Sequence, residues 1–186
     1  MTVQQNKIII VNNMVYENIY HNMRSGRYEE VLERILDFKS GNLKFPFEKN
    51  ANHAWYCVGD AYFKLGKFSE ALKAFQRAKK SDSSDAMCFL ALGNSYDALG
   101  RPKLAERMFR KALNMDLDEY YRASAFFNFG NALYDQKRYE EAIEIYNHVR
   151  KRKDLIGEKA RRNIFSAKLK INNEQGNKMK SNDINE

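Results

Sequence analysis

The sequence has little of what interrupts or cross-links a chain: two prolines and two cysteines among 186 residues. So few prolines, with only nine glycines, leave little material for the turns of a many-stranded β fold. The cysteines, Cys57 and Cys88, lie 31 residues apart and form no CxxC motif. Because disulfides are rare in reducing compartments, this cysteine usage predicts a cytoplasmic protein.

Long apolar runs are missing as well. The run from Ile8 to Val11 is too short for the core of a signal peptide, and no stretch approaches the roughly 18 residues of a membrane span. Three histidines, His21, His53 and His148, form no HxxxH or HExxH pattern. A Gly-rich phosphate loop and a GxSxG elbow are also missing. We therefore expect no enzymatic activity, no metal site and no cofactor.

Positive charge is concentrated near the C terminus. Residues 148–180 hold eleven Lys and Arg against three acidic residues, which equals the whole net charge of +8. The rest of the chain is therefore neutral. The densest part is a basic patch that consists of Arg150, Lys151, Arg152 and Lys153.

A 34-residue period organises the middle of the chain. One stripe with helical spacing recurs in full: Trp55, Val58, Gly59 and Tyr62, then Phe89, Leu92, Gly93 and Tyr96. A second stripe follows each of these: Ala71, Phe75 and Ala78, then Ala105, Phe109 and Ala112. Gly66 and Gly100 separate the two stripes and suit the end of a helix. A third copy begins 37 residues later, after an insertion near residues 120–122, and its turn reads DQKRY without a glycine.

This pattern resembles the tetratricopeptide repeat, a 34-residue helix-turn-helix unit. The resemblance implies an all-α fold, a right-handed α-solenoid of antiparallel helix pairs with a C-terminal capping helix. We expect one domain over residues 1–171 and a disordered tail over 172–186. Its parts are a degenerate repeat at 12–45, clear repeats at 52–85, 86–119 and 123–156, and the capping helix at 157–171. Gly59 and Ala71 would let the two helices of a pair touch, and Tyr62 and Phe75 would fill the layer between neighbouring pairs.

Such arrays usually bind a peptide or a helix of another protein along a concave groove. The first helix of each pair, beside its packing stripe, would line this groove. Aromatic side chains there could anchor a partner, and asparagines could hold an extended backbone. In an alternative interpretation, the rings only fill a tight superhelix, or the N-terminal segment occupies the groove. The predicted groove residues are Tyr16, Tyr20, Tyr56, Asp60, Phe63, Leu90, Asn94, Asp97, Phe127, Asn128, Asn131, Tyr134, Arg161, Arg162 and Phe165.

One subfamily holds the terminal carboxylate of heat-shock chaperones with two asparagines, two lysines and an arginine. Asn94, Asn128 and Arg162 match three of those positions, whereas Leu90 and Glu158 stand in place of the lysines. Because Glu158 would repel a carboxylate, we do not expect this specificity.

The resulting hypothesis is a protein–protein interaction module, an adaptor or small chaperone. In the alternative hypothesis, the basic segment 150–170 binds nucleic acid or another anionic surface. The same charges could contact an acidic protein partner, or simply keep the end of the array soluble. Self-association through Tyr120 and Tyr121 is also open.

Overall fold

The computed structural model describes residues 15–182, with side chains through residue 175. The described residues are mainly helical, and the predicted all-α fold of helix pairs is confirmed. One small antiparallel hairpin is the exception, formed by β1 (Leu36–Asp37) and β2 (Asn42–Leu43) and followed by a 3-10 helix (Phe47–Asn50). The helices are α1 (residues 15–24), α2 (Tyr28–Ile35), α3 (Ala51–Lys64), α4 (Phe68–Ser81), α5 (Ala86–Ala98), α6 (Pro102–Leu113), α7 (Glu119–Asp135), α8 (Tyr139–Asn147) and α9 (Leu155–Asn182).

The chain divides into two compact units, with the boundary between Ser83 and Ser84. In the first unit, α2 and α4 pack on α3, and the hairpin and the 3-10 helix lie beside them. In the second unit, each helix from α5 to α9 packs on the next one along the chain. Each unit has its own apolar core. The single domain expected over residues 1–171 stays a prediction.

In each of three helix pairs, a glycine of the first helix packs directly against an aromatic ring of the second. A Cβ added to Gly59 would lie 2.6 Å from Cδ1 of Phe75. A Cβ added to Gly93 would lie 2.6 Å from Cδ1 of Phe109, and a Cβ added to Gly130 would lie 2.6 Å from Cδ1 of Tyr146. No real Cβ fits so close to a ring, so a larger residue would push the two helices apart.

The turns inside the pairs share one hydrogen-bonding pattern. The N–H of Lys67 donates to the carbonyl of Tyr62, and the N–H of Arg101 donates to that of Tyr96, closing a Schellman turn in each case. Gly66 and Gly100 supply the positive φ, 72° and 66°. The glycine-free third turn keeps this geometry, because Lys137 takes φ 60°.

The degenerate first pair ends earlier than its sequence predicts. The repeat predicted at 12–45 has no helix after Ile35, where α2 stops, and Phe38 is 61% exposed in the hairpin. The Asp37 carboxylate turns the chain by accepting hydrogen bonds from the Lys39 N–H and the Ser40 hydroxyl. The segment between the repeats predicted at 12–45 and 52–85 also contributes to the core, since Phe47 is buried. Residues 12–14 of this repeat lie outside the described residues.

The C-terminal helix is longer than predicted. The sequence placed the capping helix at 157–171 and a disordered tail at 172–186, whereas α9 continues through Asn182. Over residues 172–175 the helix gains nothing from burial, because these side chains are exposed. Its extension contains no proline, and five of its eleven residues are Glu, Gln, Lys or Met, which favour helix; the other six are Asn, Gly and Ser, which favour it less. Residues 183–186 lie outside the described part of the chain.

The insertion before the third clear repeat lengthens α7 at its start. The Asp118 carboxylate caps this helix by accepting the N–H of Tyr121 at 3.0 Å. Arg122 donates to the carbonyls of Leu113 and Met115, at 3.0 and 3.1 Å. The added turn therefore closes the end of α6 with a cation, which suits the negative end of a helix dipole.

Candidate functional site

Four asparagines on the first helices of the second unit form a polar surface, here called the asparagine face: Asn94, Asn128, Asn131 and Asn163. The Asn128 amide donates to Asn94 Oδ1 at 2.8 Å, which joins α7 to α5. The Asn163 amide donates to Asn131 Oδ1 at 2.9 Å, which joins α9 to α7. All four side chains are partly exposed. Hydrogen bonds between helices therefore fix the orientation of amides that solvent still reaches.

Tyr146 of α8 completes this network from below. Its hydroxyl donates to Asn131 Oδ1 at 2.7 Å and accepts from Asn163 Nδ2 at 3.1 Å. The ring is fully buried against Gly130. Burial is the main cause that raises the pKa of this phenol, so Tyr146 acts as a neutral structural group.

A cavity of about 330 Å³ opens beside the asparagine face and is here called the aspartate cavity. It is lined by Asp97, Asn131, Tyr134, Asp135, Tyr146, Asn163 and Ser166. Asp97 Oδ1 is buried and has no hydrogen-bond partner among the described residues. Burial raises the pKa of Asp97, and the charge of Asp135 raises it further. The cavity is therefore acidic, and one oxygen of Asp97 has no partner among the described residues.

The other residues predicted for the groove in this unit differ in burial: one lies in the core, and three aromatic residues are at least partly exposed. Leu90 was predicted to face the groove, but it is 4% exposed and belongs to the core. Phe127 and Tyr134 are partly exposed, and Tyr134 also packs against Tyr139 at 5.1 Å between ring centroids. Phe165 is 64% exposed on α9. The physical reason for the Leu90 error is that the first helix α5 is apolar nearly all round.

In the first unit, the predicted groove residues pack largely on one another or on their own helix pair. Tyr16 was predicted to be open, but it is 7% exposed and packs on His53 with 4.6 Å between ring centroids. The Tyr20 hydroxyl lies 2.7 Å from His53 Nε2. Tyr16 is therefore a core residue, because aromatic neighbours close over it.

The remaining first-unit residues lie on α3. Tyr56 contacts Phe75 at 5.4 Å and Phe63 contacts Phe68 at 5.1 Å between ring centroids. Asp60 is partly exposed, and burial raises the pKa of its carboxyl. We expect this face to be more apolar than the asparagine face.

Some cations of the basic patch and of the start of α9 form ion pairs or hydrogen bonds within the protein. Arg152 forms ion pairs with Asp154 at 2.8 Å and with Glu119 at 3.0 Å. Arg161 donates to the carbonyls of Arg150 and Arg152, at 2.6 and 3.1 Å, so it fixes the loop that precedes α9. Arg162 pairs with Glu158 at 2.8 Å. Three cations of the patch are exposed, and none of them forms an ion pair among the described residues: Arg150, Lys151 and Lys153.

Asn163, Ser166, Asp135 and Tyr146 were not among the residues predicted for the groove. Asn163 and Ser166 are three residues apart and flanked by the buried Ala160 and Ala167. That spacing places Asn163, which is partly buried, beside the apolar side of α9, and this position is the signal that could have indicated it; Ser166 is exposed and carries no such signal.

The comparisons with known proteins agree with the helix pairs. Two models of the tetratricopeptide repeat match residues 50–118 and 90–154. The chain therefore belongs to the tetratricopeptide repeat family, and it is a protein-interaction module. The resemblance in sequence is confirmed.

Three similar proteins show how varied the settings of such repeats are. The type IV pilus assembly protein PilF of Pseudomonas aeruginosa is 35% identical over 94 residues, which is 50% of this chain and 36% of PilF. Superkiller complex protein 3 of Homo sapiens is 29% identical over 104 residues, or 56% of this chain and 6% of that protein. A solved structure, the first TPR of Spaghetti (RPAP3) bound to the HSP90 peptide SRMEEVD, has a TM-score of 0.59 at 18% identity. The match covers 66% of this chain and 94% of the chain in that structure. The chain thus spans 36% of the length of PilF and 6% of the length of Superkiller complex protein 3.

Other classes of site find little support in residues 15–182. This part of the chain holds no group of three His, Cys, Asp or Glu that could bind a metal ion. Among the described helices, none is long and apolar enough to cross a membrane. Cys57 and Cys88 are buried, and the Cys88 thiol donates to Asp85 Oδ2 at 3.2 Å. Burial, with the charge of Asp60, raises the pKa of Cys57 to about 12. A thiol with so high a pKa is a poor nucleophile.

Proposed function

We propose that the asparagine face binds an extended peptide segment of another protein, and that the chain acts as an adaptor or small chaperone in the cytoplasm. One observation carries the proposal. Asn94 Nδ2 and Asn128 Oδ1 have no hydrogen-bond partner among the described residues, while the other halves of the same amides bond to each other. A free donor and a free acceptor on adjacent helices match the N–H and C=O of a peptide backbone.

Preorganisation strengthens this arrangement. Both amides are already fixed by their mutual bond at 2.8 Å, so a peptide need not order them on binding. Phe127 lies next to Asn128 in the same helix and is partly exposed, which offers an apolar contact for a side chain of the peptide. Backbone contacts of this kind would bind many sequences, as an adaptor or a chaperone requires.

The ligand differs from that of the solved neighbour. That protein is bound to the acidic peptide SRMEEVD. In the present chain, the two positions that would need lysine hold the buried Leu90 and the acidic Glu158, and Arg162 is already paired with Glu158. An acidic C terminus is therefore not the ligand that we propose.

The test measures binding of a peptide selected on the wild-type chain from a random display library, by fluorescence anisotropy. The double variant Asn94→Ala/Asn128→Ala should lose about tenfold or more in affinity, since it removes two hydrogen-bonding groups. Asn147→Ala is the matched control, because Asn147 is exposed at the end of α8. Thermal melting should show that both variants fold. Unchanged affinity of the folded double variant would refute the proposal.

The competing hypothesis is an anionic ligand bound by residues 150–170. Arg150, Lys151 and Lys153 are exposed and available for it. Binding through these cations would fall steeply between 50 and 200 mM salt. Substituting all three by Gln would then abolish binding, whereas the asparagine variants would leave it unchanged.

A further inference from the structure

The aspartate cavity combines groups that accept hydrogen bonds from a cation. Asp97 and Asp135 contribute carboxylates, and Asn163 and Ser166 contribute neutral oxygens, whereas Asn131 Oδ1 already accepts two hydrogen bonds. Carboxylates bind ammonium and guanidinium groups through charge-assisted hydrogen bonds, which are stronger than neutral ones. The chemistry of this lining therefore favours a positively charged group.

The two carboxylates lack internal partners. Within the described residues, neither Asp97 nor Asp135 takes part in an ion pair, although seven pairs form elsewhere. Asp97 Oδ1 is buried with no hydrogen bond, which costs folding free energy. Asp97 also lines the open cavity, so its carboxylate lies where a group of opposite charge would bind.

The nearest arginine along the chain cannot supply the missing charge. Arg138 follows Asp135 by three residues, but its guanidinium is held by Glu106 and Glu141, both at 2.6 Å. From α9, the lining groups Asn163 and Ser166 are neutral. Lys137 is exposed in the turn and forms no ion pair among the described residues. The acidic character of the cavity is thus not cancelled by its lining.

A basic side chain suits this cavity better than a metal ion does. Described residues offer no third carboxylate, His or Cys to complete a metal site there. Tyr134 contributes an aromatic wall, on which the methylenes of Lys or the plane of Arg can pack. Two carboxylates with an aromatic wall resemble the surroundings that such side chains take at protein interfaces.

We propose that the aspartate cavity receives a Lys or Arg side chain of the peptide that binds the asparagine face. This inference rests on the proposed function. Asn131 and Asn163 belong to both the face and the cavity, so a backbone lying along the face passes the cavity opening. Asp97 and Asp135 then give the preference for a basic side chain, and the asparagines bind the peptide backbone whatever its sequence.

The experiment uses the full chain and a positional-scanning library of fluorescent octapeptides. Each position in turn is fixed as Lys, Arg, norleucine or Glu, and the others are random. Wild type should prefer Lys or Arg over norleucine by about tenfold at one position, a preference that higher salt weakens. Asp97→Asn/Asp135→Asn should lose it, while Asp116→Asn, an exposed control in the same unit, should keep it.

The outcomes separate the two proposals. If octapeptides bind but no position favours a basic residue, or if the double Asn variant keeps the preference, the cavity proposal is wrong and the proposed function stands. If no octapeptide binds wild type, the proposed function fails with it. Melting curves accompany each variant, and because Asn is nearly isosteric with Asp, we expect the double variant to fold.

Discussion

The two units of the chain share their packing and differ in the surface that this packing presents. Gly59 faces Phe75 in the first unit as Gly93 faces Phe109 in the second. On the neighbouring faces, the first unit carries rings that contact one another, such as Tyr16 and His53, whereas the second carries bonded amides. The repeat thus determines how helices pair, and leaves the exposed face free to acquire a function.

The largest effect should come from the shared packing. Gly59→Val and Gly93→Val each place a side chain where the added Cβ alone would lie 2.6 Å from a ring carbon. Each should lower the free energy of unfolding by about 3 kcal/mol, the upper part of the range for overpacked cores. Urea denaturation followed by circular dichroism measures the loss, and Ala98→Val, exposed in α5, is the control. A midpoint unchanged by either glycine variant would show that the pairs do not depend on this contact.

The next effect separates the two units. Tyr146→Phe removes a hydroxyl that serves both Asn131 and Asn163, and should cost about 1–2 kcal/mol. Tyr16→Phe removes a buried hydroxyl that has no partner among the described residues, so it should leave stability equal or raise it. Calorimetric melting of both variants gives the comparison. An equal loss of stability in Tyr146→Phe and Tyr16→Phe would contradict the difference between the units.

A smaller effect concerns the turns. Lys137 occupies a left-handed backbone position that glycine fills in the other pairs, at a cost of about 1 kcal/mol. Lys137→Gly should therefore stabilise the chain by nearly that amount, whereas Gly100→Ala should destabilise it. Chemical denaturation measures both. Destabilisation by Lys137→Gly would mean that the lysine side chain contributes more than its backbone costs.

The smallest effect depends on pH. Burial raises the folded-state pKa of both Asp60 and Asp97. Protonation of such a group stabilises the fold, so its contribution is complete below the unfolded pKa of about 3.9 and is lost as pH rises through the folded value. Asp97→Asn should thus raise the melting temperature at pH 7 and not at pH 3. The gain should be smaller for Asp60→Asn, because Lys64 opposes the shift there while Asp135 adds to it at Asp97. If the increase in melting temperature of Asp97→Asn became larger as the pH was lowered, the folded-state pKa of Asp97 would be lowered and not raised.

The helix pairs could be predicted because their packing recurs in the sequence. Gly59, Gly93 and Gly130 face rings sixteen residues later, and a recurring contact leaves a recurring spacing. The hairpin after α2 occurs once, so no second copy indicated that Leu36 would pair with Leu43. Composition also suggested disorder after residue 171, although α9 continues to Asn182.

The candidate site could be predicted only in part. Asn94, Asn128 and Asn131 were identified because they lie beside the packing stripe of α5 and α7. Their bonds to one another, and the entry of Asn163 and Tyr146 into the network, depend on distances between helices that helical spacing does not encode. Leu90 and Tyr16 were misplaced because burial depends on neighbours from other elements. Whether the predicted residues bind a partner stays a prediction.

The most direct test of peptide binding at the asparagine face is a nitrogen-15 NMR titration of the full chain with the selected peptide. The side-chain amides of Asn94, Asn128 and Asn163 report on the face itself. The account predicts that their resonances shift, together with backbone signals of α5 and α7, while those of α6 and α8 move little. Shifts confined to residues 150–153, or to the outer helices α6 and α8, would contradict it.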